Sequence, residues 1–107
     1  MELKQYAIVI VNLDPTIGSE IKKTRPCVIV SPNEMNKYLN TIVLAPMTTN
    51  LKKYPTRVSV NHNEKKGMIA IDQIRTVDKI RIIKIFEKLT DSEINKCKEV
   101  IKETFVD

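Results

Sequence analysis

The 107 residues suffice for one domain with a small core, spanning residues 1–107 as a unit. Gly18 and Gly67 are the only glycines, tryptophan is absent, and neither a GxGxxG nor a Walker sequence occurs, which excludes the glycine-rich phosphate cradles of nucleotide-binding folds. The formal net charge is +5, and the surplus is local: Lys22, Lys23, Arg25, Lys37, Lys52, Lys53, Arg57, Lys65 and Lys66 stand between Ile21 and Lys66 against only Glu34 and Glu64. Such a concentration attracts a polyanion through phosphate contacts and counterion release, so nucleic acid is the leading partner class.

In chain order, Gln5 to Leu13 is the first expected strand. Its apolar run, Ala7 to Val11, is β-branched and continuous, as in a strand buried on both faces, and is too short for a signal sequence. Asp14-Pro15 then initiates a turn and Gly18 supplies a permissive backbone position in a loop that carries Glu20, Lys22, Lys23 and Arg25. Pro26 removes a donor where the second strand, Cys27 to Ser31, begins. Arg25 therefore stands at a strand mouth, its root fixed by the strand while the loop can close over a ligand.

Pro32 to Asn40 reads as polar and turn-rich. Thr41 to Met47 is a third buried strand, and its Pro46 suggests an edge or a bulge. Thr48, Thr49 and Asn50 leave that strand as three short polar side chains, able to line a site or to form an ordinary turn. Leu51 to Pro55 is a basic loop, and Arg57 to Val60 alternates as a half-exposed strand. Asn61 to Gly67 reads as a polar hairpin connection, Met68 to Val77 as strand, and Ile80 to Phe86 as a last strand. The one clear helix runs from Asp91 to about Phe105, with Thr90 and Glu93 as a capping box and Ile94, Cys97, Val100, Ile101 and Phe105 on one face. Cys27 and Cys97 both read as small buried hydrophobes, so no disulfide is implied, and no apolar segment is long enough to span a bilayer. The chain is expected to be soluble and cytoplasmic. Six or so short strands with one terminal helix, and no alternation of strand and helix, predict a mainly β fold, a small curled antiparallel barrel.

Three stretches in this order and spacing, NLDPTIGSEIKKTRPCVIVSP, TIVLAPMTTN and GMIAIDQIRTVDK, resemble the MazF (PemK-type) toxins, the RNA-cleaving halves of toxin–antitoxin pairs. The resemblance covers about Gln5 to Phe105. It implies an SH3-like barrel of the MazF/CcdB kind that dimerises, holds single-stranded RNA in a groove at the dimer interface, cleaves it at short motifs without metal or cofactor, and is neutralised by an antitoxin protein. Carried onto this sequence, Arg25 matches the family's catalytic arginine, Thr48 its catalytic threonine and Glu20 an acidic residue associated with activity. Gln73, Arg75 and Asp78 fall in its RNA-facing segment. One departure stands at Tyr6-Ala7, where many members carry an acidic residue.

Metal-free cleavage is chemically reasonable because the RNA 2′-hydroxyl itself attacks the adjacent phosphorus; the protein has to orient the strand, move a proton and stabilise charge. The guanidinium of Arg25 can hold two phosphate oxygens, and the Thr48 hydroxyl can donate to a non-bridging oxygen or position the nucleophile. Arginine is a poor base because its pKa exceeds about 12, which leaves Glu20 as the more comfortable one. Lys22, Lys23, Thr49, Asn50, Lys52, Lys53 and Arg57, with Lys65 and Lys66, are expected to contact the RNA, and Tyr54 or Phe86 could stack a base. His62, alone in NHNEKKG without a second histidine, is discounted as a catalytic group and as a metal ligand. Two other readings use the same shape: a gyrase-poisoning toxin of the CcdB type, or an RNA-binding module silenced at Ala7.

Overall fold

A computed structural model describes residues 2–12 and 24–106. Seven strands, β1 (Ala7–Asn12), β2 (Thr24–Ile29), β3 (Thr41–Thr48), β4 (Arg57–His62), β5 (Lys65–Ala70), β6 (Arg75–Asp78) and β7 (Ile82–Lys88), form one antiparallel sheet. Its order is β4-β5-β3-β2-β1-β7, with β6 also paired to β3. Helix α1 (Asn33–Tyr38) joins β2 to β3, and helix α2 (Asp91–Phe105) closes the chain. The architecture is thus mainly β, a curled half-barrel with a C-terminal helix. Among the described residues no helix is long and apolar enough to cross a membrane.

The continuous apolar runs of β1 to β3 are explained by two cores on opposite faces of the same strands. On one face Ile8, Val28, Ala45 and Met47 pack with Val58, Val60 and Ile69 of the β4–β5 hairpin and with Cys97 and Val100 of α2. On the other, Val9, Val11, Cys27, Ile29, Ile42 and Leu44 are covered by Leu3, Val77, Ile82 and Ile85. Alternate residues of one strand therefore serve different cores, and polar side chains are confined to the strand ends.

Helix α2 begins as its sequence signature requires. The Thr90 side chain accepts from Glu93 N–H while Glu93 Oε1 accepts from Thr90 N–H. The second oxygen of the same carboxylate accepts from Asn61 N–H at 3.0 Å. Glu93 thereby satisfies both a helix start and a donor of the edge strand β4, which would otherwise be open to pairing with another chain.

Four local expectations are corrected. The polar stretch after Pro32 is a helix, because Asn36 turns inward, donating to Leu3 C=O at 3.2 Å and Ser31 C=O at 2.9 Å and meeting the Ser31 hydroxyl. Pro46 is at neither an edge nor an isolated bulge: along one side of β3 the partner changes from β6, over Thr41–Leu44, to β5, at Met47–Thr48. The proline falls at that changeover, where its missing donor is tolerated. The expected long strand from Met68 is broken at Ile71–Gln73 by a turn of 3-10 helix, which moves the chain from β5 to β6. The last strand begins at Ile82, not Ile80, because Asp78 Oδ1 accepts from Ile80 N–H at 3.0 Å and winds Lys79–Arg81 into another such turn.

Candidate functional site

The register of β2 on β3 pairs Cys27 with Pro46, Val28 with Ala45 and Ile29 with Leu44. Carried on by two residues, it sets Arg25 opposite Thr48, as cross-strand neighbours on one face. Both side chains line a cleft of about 270 Å³ with Pro26, Met47, Thr49, His62, Lys65, Lys66 and Gly67. Four cationic or imidazole groups thus surround a floor of proline, methionine and glycine, and no carboxylate is among the described lining residues. Larger clefts of about 410 and 440 Å³ lie elsewhere, against α1 and α2, and contain none of the expected site residues.

The strand mouth is held from behind. The Cys27 thiol donates to the Arg25 carbonyl at 3.7 Å. Burial pushes that thiol up to about 12, with Arg25 and Arg75 pulling weakly the other way, so it is a packing group and not a nucleophile. Arg75, which acts on the same thiol, stands on β6. Beyond the strand, Asn50 N–H donates to Thr48 Oγ1 at 3.2 Å and Lys52 N–H to Asn50 Oδ1 at 3.1 Å. Because Thr48 Oγ1 already accepts from the backbone, its own proton is free to point into the cleft.

Gly67 permits the site. The sequence suggests a turn there, yet the hairpin turns earlier, at Asn63 and Glu64, whose φ angles are 51° and 62°, and Gly67 lies within β5. A Cβ on Gly67 would stand 3.1 Å from the Thr48 carbonyl oxygen, so glycine lets β5 approach the end of β3 closely. Extending the strands to a two-residue turn also carries His62, Lys65 and Lys66 into the cleft.

The remaining expected residues divide. Lys53 lines a second cleft of about 260 Å³ with Leu51, Ser59 and Asn61, and this cleft shares Lys66 and Gly67 with the first. The two clefts meet at Lys66 and Gly67 of β5. Lys52 lies over the Tyr54 ring at 5.4 Å. Arg57 is already engaged: its Nε donates to Asp72 Oδ1 at 2.8 Å and its guanidinium lies 5.2 Å from the Tyr54 ring centre. The hydrogen bond from Arg57 is the main reason the Asp72 carboxyl is held below its usual range. Asp78 caps a turn with its side chain, and Gln73 is exposed at the end of a 3-10 turn. Glu20, Lys22 and Lys23 lie outside the described residues. His62 was legible only as an isolated histidine; what brings it into the cleft is the position of the turn, which Asn63 signals weakly through its tolerance of positive φ.

Comparison with known proteins places the chain in a family. The profile of the PemK-like, MazF-like toxins of type II toxin–antitoxin systems matches residues 4–105. Over 104 residues the chain is 37% identical to the endoribonuclease MazF of Staphylococcus saprophyticus, covering 92% of this chain and 84% of that protein. Its fold matches a mycobacterial endoribonuclease solved in complex with its cognate antitoxin, at a TM-score of 0.83 and 20% identity, over 97% of this chain and 95% of that one. It also matches MazF from Deinococcus radiodurans, at a TM-score of 0.81 and 19% identity, over 100% and 99% of the two chains. Profile and sequence identity extend over nearly the whole chain, and the protein belongs to the PemK-like, MazF-like toxins of type II toxin–antitoxin systems.

Proposed function

We propose that the protein is a metal-independent endoribonuclease that cuts single-stranded RNA at short sequence motifs and restrains growth in the cytoplasm until a cognate antitoxin occupies its basic clefts. The observation that carries this reading is the convergence of Arg25 and Thr48 in one cation-lined cleft. A phosphodiester entering there meets the planar fork of Arg25 on its two non-bridging oxygens, and the Thr48 hydroxyl donates to one of them or positions the 2′-hydroxyl. The 2′-hydroxyl then attacks phosphorus, the P–O5′ bond breaks, and a 2′,3′-cyclic phosphate forms at least transiently. Arg25 stabilises the charge that grows on the phosphoryl oxygens, and Glu20 takes the 2′ proton. Lys65, Lys66 and Lys53 follow the backbone along the two adjoining clefts, while Thr49 and Arg75 flank the scissile group. Lys22, Lys23, Asn50, Lys52, Gln73 and Asp78 complete the RNA-facing surface, and a second copy of the chain supplies the other wall of the groove. The antitoxin partner is supported by the mycobacterial relative of like fold that was solved with one.

Incubation with a long single-stranded RNA in excess EDTA, with 5′ ends mapped at nucleotide resolution, tests this directly. Discrete cuts that vanish with Arg25→Ala are expected. RNA left intact by the folded wild-type protein, or cuts that need added divalent metal, would overturn the proposal.

A further inference from the structure

Proton transfer to the departing oxygen has no agent among Arg25, Thr48 and the lysines of the cleft. Arginine, lysine and threonine do not ordinarily exchange a proton near neutral pH, and the described lining residues include no carboxylate. Imidazole is the one side chain that ordinarily does so between pH 5 and 8. His62 lines the same cleft as Arg25 and Thr48. We propose that His62 is the general acid of the cleavage step, a role that rests on the endoribonuclease reading and deepens it.

The ring is seated for the task. The strand pairing of His62 with Lys65 fixes its backbone one residue before the tight turn. Its ring meets Phe86 of β7 edge to face, with centroids 4.7 Å apart and planes at 74°. Phe86 is itself held, with Lys84 Nζ 4.9 Å from its ring centre. The half-buried imidazole makes no hydrogen bond to another described side chain or backbone group, so its nitrogens are available to a substrate. Charged groups approach from each neighbouring element: Arg25 from β2, Lys65 and Lys66 from β5, Lys84 behind Phe86, Glu64 in the turn, and Glu93 of α2 on the adjacent Asn61 N–H. Cations dominate the cleft side, and a bound phosphate offsets them when the strand enters.

The step balances without a further reactant. The 2′-oxygen forms its bond to phosphorus and loses its proton to the base, Glu20 in the reading above. The P–O5′ bond breaks with its electron pair on oxygen, and the imidazolium delivers its proton there. Neutral His62 then regains a proton from water.

The test compares His62→Gln with wild type on two RNAs of the same sequence, one natural and one with sulfur replacing the bridging 5′ oxygen at the cut site. A thiolate leaves without protonation, so it needs no acid. On natural RNA the variant is expected to lose about 10²-fold or more in rate, with loss of the alkaline limb of the pH–rate profile. On the sulfur-bridged RNA it is expected to cleave within a few-fold of wild type. Equal losses on both substrates, or an unchanged pH profile, would overturn the acid role and leave His62 as packing for Phe86. His62→Asn, with thermal melting of both variants, guards against misfolding, and a folded variant that cleaves natural RNA at the wild-type rate also overturns it. Failure of wild type to cleave natural RNA would instead sink the endoribonuclease reading.

Discussion

At the scale of single residues, the site depends on what small or buried side chains permit. Gly67 is the clearest case, because the 3.1 Å approach of a Cβ to the Thr48 carbonyl would push the end of β3 away from the cleft. Gly67→Ala is therefore expected to lower RNA cleavage more than it lowers the melting temperature, whereas equal wild-type activity would show that the close approach is immaterial. The buried thiols act on stability through pH. Burial raises both Cys27 and Cys97 from 9.0 to about 12, so the folded protein keeps protons that the unfolded chain releases in that interval. Their contribution is intact below pH 9.0 and is lost as pH rises towards about 12. Melting temperatures measured from pH 8 to about 10.5 should fall more steeply for wild type than for a Cys27→Ala, Cys97→Ala double variant. Arg25 and Thr48 were legible in the sequence through the family motif and through strand-mouth placement. His62 was not, because its entry into the cleft depends on where a turn falls, and two adjacent residues at positive φ have little sequence signature when neither is glycine.

At the scale of elements, Glu93 and Arg57 illustrate two kinds of polar contact. Glu93 serves the α2 start and the β4 edge together, so Glu93→Ala is expected to cost about 1–2 kcal/mol in urea unfolding, towards the upper end of a capping loss. A loss below about 0.3 kcal/mol would mean that neither contact contributes. Arg57 and Asp72 pair at 2.8 Å on a partly exposed surface, which contributes at most about 1 kcal/mol. The lowered carboxyl contributes above its unfolded value, and that part disappears as pH falls through the acid range. Since Arg57 is engaged with Asp72 and Tyr54, Arg57→Ala should change the salt dependence of RNA binding less than Lys66→Ala does. The reverse order would assign Arg57 to the RNA. Strand existence and the capping box of α2 could be read from apolar runs and spacing. Helix α1 could not, since six residues give too little periodicity and its buried face is made by Asn36, a polar residue satisfied only by tertiary partners.

At the scale of the whole molecule, a sheet with a core on each face leaves chemistry only at its rim, where strands end and loops begin. The charge surplus between Ile21 and Lys66 is gathered there in part: Arg25, Lys65 and Lys66 share one cleft and Lys53 adjoins it. The barrel class was legible because strands outnumber helices and never alternate with them; the partner change along β3 and the double use of its length were not, because both follow from pairings remote in sequence. The central claim is that register makes Arg25 and Thr48 one functional unit. A double-mutant cycle on the single-turnover cleavage rate, with Arg25→Ala, Thr48→Ala and the double variant, measures that coupling. Two residues acting on one phosphate predict that each single variant loses about 10²-fold or more and that the double variant loses far less than the product of the two. Fully multiplicative losses, or a Thr48→Ala rate equal to wild type, would contradict it.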